Sequence, residues 1–444
     1  MLPHFVTKYL QNLAVQGPWE VARCPDTRFV GAVVIPALAE SAHLFATLRS
    51  LAANPPELLA HFLVLVVVNH KEDALSGDKD DNYETLARLA AGEPGLASLR
   101  LAWVDAASPG LEMPAKAGGV GLARKIGLDR VLSCLDFSGK SPLLVCLDAD
   151  TMVEPSYLPA LTDHFRRSRN GGAVIPFRHR PGANPAGQAA IDRYELFLRS
   201  YVLGLSLAGS PYAFHTVGSA MACTAEAYIR MGGMNRRHAA EDFYFLQQLH
   251  RTAGVEQLRG TTVHPSPRPS HRVPFGTGRS ISRTLQGESN AITFYHPDCF
   301  RILGEWLDVV AGNLCMDASS LMAKAASVSP HLEGYLEVSG FPCAWERLQN
   351  NSRGPEPLLS AFHGWFDALR TMKQIHHFSA ASFPRCGPEE AFPPLLDWAG
   401  LERVTGIAGQ LALLRRVQYG EGDQLHHQLA PDGSQQRPAA GLGL

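Results

Sequence analysis

Two short acidic patterns and one basic loop carry the residues best suited to chemistry in this 444-residue sequence. The first is Leu143-Leu-Val-Cys-Leu-Asp-Ala-Asp150, an apolar run that ends in two carboxylates separated by one residue. Alternation along an extended chain would put Asp148 and Asp150 on the same side, beyond the carboxyl end of a strand. Two anionic oxygens there suit a hard cation such as Mn2+ or Mg2+, which can bridge to phosphate oxygens and neutralise a leaving diphosphate. A solvated turn is the plainer alternative, because Asp is common in turns. The second pattern is Ala239-Ala-Glu-Asp-Phe-Tyr-Phe-Leu246, an acidic pair opening an amphipathic helix. The helix dipole favours carboxylates there, so capping alone would account for Glu241 and Asp242. A catalytic reading needs Asp242 to take a proton from a hydroxyl. The third is Val263 to Arg279, a loop rich in Pro and Gly in which Arg272 and Arg279 are candidates for clamping a diphosphate or an anionic acceptor.

Such residues need a frame, and the chain supplies one. Short apolar runs at Val30–Ile35, Phe62–Val68, Leu99–Val104, Leu143–Leu147 and Ala173–Ile175 are too short for buried helices, and several are rich in Val and Ile. Amphipathic stretches lie between them. One follows Ser41, a good N-cap, with Leu44, Leu48 and Leu51 on one face; another carries Leu128, Val131, Leu132 and Leu135. This βαβ order predicts an α/β domain with a mostly parallel sheet flanked by helices, whose ligands sit beyond the carboxyl ends of the strands. The expected organisation is an N-terminal helical extension over residues 1–27, the α/β domain over 28–285, a smaller α-helical C-terminal region over 286–429 and a disordered tail over 430–444.

Composition narrows the classes. With 45% hydrophobic residues, 18% charged residues and a formal net charge of -2, the chain reads as an ordinary globular protein with no basic excess to track nucleic acid. The eight cysteines are scattered singly and read as reduced thiols of a cytoplasmic protein. No stretch has the layout of a signal peptide or a transmembrane helix, although peripheral contact with a membrane is compatible with the sequence.

Taken together, the segments from Arg28 to Arg279 resemble glycosyltransferase family 2 and its GT-A-fold relatives. Val33-Val-Ile-Pro-Ala-Leu-Ala-Glu40 looks like the family's opening strand, with Ala39 where Asn is usual. Val66-Val-Val-Asn-His-Lys-Glu-Asp73 stands in the place of its nucleobase loop, with Asn69 for the usual Asp. Gly118-Gly-Val-Gly-Leu-Ala-Arg-Lys-Ile-Gly127 is similar to the segment preceding the acidic triplet, with Arg124 matching and Lys125 in place of Asn. His215 to Met234 looks like the acceptor-side strand and helix, and Asp242 follows Gly233 at the spacing of the family's base.

The resemblance implies a metal-dependent glycosyltransferase that uses a nucleoside-diphosphate sugar. Pro36, Glu40, Asn69, Arg124 and Asp148 would line the donor site with Arg272 and Arg279, while Gly218, Ser219 and Glu241 would face the acceptor hydroxyl. Asp148, Asp150 and His264 would hold the divalent cation, and Asp242 would act as base in an inverting displacement. Three alternatives stay open: a retaining transferase, a sugar-phosphate nucleotidyltransferase, and a nucleotide-sugar-binding module without catalysis. The donor sugar, nucleobase and acceptor are not encoded in any motif.

Overall fold

The computed structural model describes residues 2–24, 27–269, 276–286 and 292–419. The chain forms two compact units, one from residues 1–191 and 214–291, the other from 192–213 and 292–444. The last of these divisions falls between residues 291 and 292, and residues 192–213, expected in the α/β domain, belong to the second unit.

The first unit holds ten strands among the described residues. They are β1 (Val21–Ala22), β2 (Gly31–Ala37), β3 (Phe62–Asn69), β4 (Arg100–Ala106), β5 (Leu143–Cys146), β6 (Met152–Val153), β7 (Gly172–Val174), β8 (Met221–Thr224), β9 (Val255–Gln257) and β10 (Val263–His264). Eight of them form one sheet in the order β1-β4-β3-β2-β5-β8-β7-β9, while β10 pairs with β6. Strands β4, β3, β2 and β5 are mutually parallel; β1 and β8 run against their neighbours. This is the mostly parallel, helix-flanked α/β architecture the sequence predicts.

Strands β2 and β3 are buried along their whole length, which is why GAVVIPA, and FLVLVVVN up to its terminal Asn69, are apolar runs instead of alternating. Pro36 pairs in register with Val67, but the pairing of β2 with β5 stops at Val34 and Cys146. Its missing N–H therefore costs no ladder bond on the β5 side. The chain builds outward from β2 to β3 and β4, then crosses back so that β5 lies on the other side of β2. That reversal makes a topological switch point between the carboxyl ends of β2 and β5, where ligands bind in open α/β sheets.

Two local expectations change. Ser41 does not cap the helix Leu44–Ala52, whose N-cap position is His43. Its amide and hydroxyl both donate to Asp81, at 3.0 and 2.7 Å. The N-terminal segment is not a separate extension: its helix His4–Asn12 and β1 belong to the first unit, where Val6, Tyr9 and Trp19 join the buried core around β2, β3 and the helix Val120–Val131. The singly spaced cysteines also conceal a proximity, for the sulfurs of Cys24 and Cys134 lie 2.8 Å apart.

The second unit is helical among its described residues. Its core gathers Trp306, Phe341, Trp345 and Phe362 from helices Pro297–Gly312, Phe341–Asn351 and Pro355–Trp365. No helix among the described residues is long and apolar enough to cross a membrane. The expected disordered tail lies outside the described residues.

Candidate functional site

The switch point gathers acids from three distant parts of the chain. Glu40 follows the end of β2, and Asp148 and Asp150 follow β5. The strand ends at Cys146 and a turn begins at Ala149, so the two aspartates do not share one face of an extended segment as expected. Thr151 N–H closes the turn on Asp148 O at 3.1 Å, and the buried Thr47 hydroxyl holds Ala149 O at 2.8 Å. The turn therefore aims the two carboxylates at two different arginines.

Asp148 meets Arg124, which comes from the helix Val120–Val131. One guanidinium nitrogen lies 2.5 Å from Asp148 Oδ1, and another donates to Glu241 Oε1. Arg124 is 3% exposed. Burial works against its charge, but Asp148 and Glu241 more than offset this and hold its pKa above the ordinary value. Gly218 lies against the guanidinium: a Cβ there would stand 2.4 Å from a terminal nitrogen. A side chain at 218 would have to push the Arg124 guanidinium off its two acids, and Ser219 beside it is buried.

The acids opening the helix Glu241–Ala253 are aimed by the segment before it. Ala240 occupies the N-cap position at φ 56°, in the left-handed region, and offers no side-chain cap. Asn235 donates to Glu241 O at 2.8 Å, and a Cβ on Gly121 would stand 2.3 Å from Arg237 O. The glycines before Arg124 therefore seat the 235–240 segment that presents Glu241 and Asp242. Burial, then repulsion from Glu241, pushes the Asp242 carboxyl up to about 7, against the pull of Arg124 and the Phe243 N–H. Burial likewise raises Asp148, with Asp150 adding repulsion and Arg124 opposing.

Asp150 meets Arg268, a residue the sequence reading passed over. Its Nε donates to Asp150 Oδ2 at 2.8 Å, and a terminal nitrogen pairs with Glu40 Oε1. Arg268 shares the Pro-rich loop with the favoured arginines, and only its presence there was visible in advance. Arg272 lies outside the described residues. Arg279 sits in the first turn of the helix Thr277–Leu285 and forms no ion pair with these acids among the described residues.

Two other expected site residues have different surroundings. The Asn69 amide donates to Ala37 O and Val67 O at 3.1 and 2.9 Å, tying the ends of β2 and β3 together. Asn82 extends the tie, accepting from Ala39 N and donating to Asn69 O. His264, in β10, has its Nε2 3.2 Å from Glu154 Oε1 and its Nδ1 3.2 Å from Arg178 O. His264 pairs in register with Met152, two residues beyond Asp150, and both ring nitrogens already have partners there.

The donor set can be weighed against a divalent cation. Among the described residues no group of three or more His, Cys, Asp and Glu is arranged to hold a metal ion. An ion of the Mg2+ type needs no such cage when one or two carboxylates share it with substrate phosphates. Asp148 and Asp150 are 38% and 20% exposed and fit such a shared ion, which would have to displace a guanidinium. Among the described residues Asp148 and Glu241 pair with Arg124, Asp150 and Glu40 pair with Arg268, and the Arg180 guanidinium donates to Asp150 O at 3.2 Å.

No family model matches the sequence, and no curated protein matches it. Among solved structures, the S. aureus TarS fragment 1–349 in complex with UDP-GlcNAc is 14% identical, with 68% of this chain and 71% of that chain covered at a TM-score of 0.37. The mannosyltransferase PcManGT from Pyrobaculum calidifontis, in complex with GDP-Man and Mn2+, is 16% identical, with 93% and 92% covered at a TM-score of 0.37. A mycobacterial protein is 16% identical, with 59% and 75% covered at a TM-score of 0.33. At such identities and scores these likenesses assign no activity to this chain.

Proposed function

We propose that this chain is a glycosyltransferase that moves a sugar from a nucleoside-diphosphate donor to an acceptor hydroxyl, with inversion and with Asp242 as the base. One observation carries the reading: Asp148 and Glu241, 93 residues apart (241 less 148), converge on one buried arginine beside Asp242, whose pKa of about 7 suits a base working near neutrality.

In this reading the acceptor oxygen attacks the anomeric carbon while its proton passes to an Asp242 oxygen. The bond from that carbon to the diphosphate oxygen breaks, and its electron pair leaves with the nucleoside diphosphate. Arg124 fixes Asp148 and Glu241 in place, and the Gly218 backbone packed against it keeps that arrangement rigid. A divalent cation held by Asp148 and Asp150 would neutralise charge growing on the leaving diphosphate. Glu40, Arg268 and the end of β2 at Pro36 lie on the donor side of the switch point; Gly218, Ser219 and Glu241 lie on the acceptor side.

Asp242→Asn tests the assignment. Transfer should fall about 10²–10⁴-fold, the usual share of a general base, while Mn2+-dependent binding of nucleoside diphosphate stays near wild type in a thermal-shift screen. Equal loss of binding would overturn the base assignment. NMR of the product's anomeric configuration separates inversion from retention.

A further inference from the structure

Arg268 lies across the switch point, pairing with Asp150 of the triplet and with Glu40 after β2. Its side chain is 25% exposed, whereas Glu40 is 8% exposed. Its guanidinium carries a full positive charge, and its fork spans both carboxylates. The contrast with Arg124 is instructive. Arg124 is almost wholly buried with Gly218 packed on it, whereas Arg268 comes from a partly exposed Pro-rich segment.

The Asp150 Oδ2 atom that accepts from Arg268 is one of the two oxygens with which Asp150 could hold a divalent cation. Two positive charges cannot share that oxygen at contact distance without strong repulsion. Resting on the reading of Asp150 as a cation ligand, we infer that Arg268 is the site's internal counter-cation. It competes with the divalent ion for Asp150 and sets the metal concentration at which the site loads. When the ion takes Asp150, Arg268 keeps Glu40.

The test is Mn2+ titration of the full chain with UDP held constant, read as the Mn2+ concentration that gives half-maximal thermal stabilisation. Arg268→Gln should bind Mn2+ about tenfold more tightly than wild type, equivalent to about 1.4 kcal/mol. Arg268→Lys should fall between the two, because one ammonium lacks the fork that spans two carboxylates. Equal or weaker binding by both variants overturns the competition, and if Arg268→Gln does not fold, Arg268→Lys against wild type decides. Asp150→Asn should abolish binding in the wild-type and Arg268→Gln backgrounds. Unchanged binding there would instead show that the ion does not use Asp150, removing the reading on which the competition rests.

Discussion

Arg124 and Lys125 are neighbours on one helix, yet they serve two charged clusters of opposite character. Lys125 faces Asp129, which is 1% exposed. That carboxylate accepts from Tyr9 Oη, Tyr228 Oη and Val15 N at 2.7 Å each, and from Lys125 Nζ at 3.0 Å. One negative charge meets one positive charge and three neutral donors, and the cluster pins the N-terminal helix to the core. Arg124 instead sits among three carboxyls, pairing with Asp148 and Glu241 and drawing on the charge of Asp242. A balanced cluster holds a fold together, whereas buried acids crowded against one another hold protons more tightly.

The sharpest way to break this comparison is to remove one acid from each side. Asp129→Ala leaves Lys125 charged and buried without its partner, and breaking such a pair costs about 3–5 kcal/mol. Denaturant unfolding should show that loss, with activity falling only as folded protein disappears. Asp242→Asn should have the opposite sign. The Asp242 carboxyl is raised from 3.8 to about 7, so between those pH values the folded chain keeps a proton that the unfolded chain has released. Stability therefore falls as pH rises through that window. The Asn variant escapes this penalty, so its Tm should exceed wild type at pH 8 and converge with it near pH 4. A lower Tm at pH 8 would place Asp242 among the structural acids.

The same carboxyl sets the pH dependence of catalysis. A base must be deprotonated, so kcat/KM of the wild type should fall about tenfold per pH unit below about 7 and level off above it. A profile flat down to pH 5 would remove the distinction between the two clusters as far as Asp242 is concerned.

What the sequence revealed, and what it hid, follows the same division. Strands β2 and β3 were legible because burial on both faces makes each an unbroken apolar run. The acidic triplet and the Glu241–Asp242 pair were legible because each is compact and borders a clear element. Arg268 was not, since it meets acids 118 and 228 residues away from a loop with no periodicity. Asn69 sits where a base contact was expected, yet its amide ties two strand ends, because a side chain's direction depends on packing that spacing does not encode. The Asp129 cluster was hidden altogether, since Tyr9, Val15 and Tyr228 come from distant parts of the chain.

The smallest expected effects concern the backbone that aims the acids. Among the described residues, Arg23, Ala39 and Ala240 are the non-glycine positions with positive φ, and the two alanines, at 51° and 56°, each immediately precede a site acid. The left-handed conformation costs an L-residue about 1–2 kcal/mol, least for Gly and less for Asn than for Ala. Asparagine, the usual residue of the resembling family at position 39, suits that conformation. Ala39→Asn and Ala240→Gly should therefore each stabilise the fold by about 0.5–1 kcal/mol in denaturant titrations. They should differ in activity. Ala39→Asn retains a restricted backbone before Glu40 and should leave kcat unchanged, whereas Ala240→Gly frees the chain before Glu241 and Asp242 and should lower kcat by about twofold to threefold, a cost well under 1 kcal/mol. If both substitutions destabilise the fold, the left-handed alanines are not strained, and the site is aimed by the Asn82 and Asn235 hydrogen bonds alone.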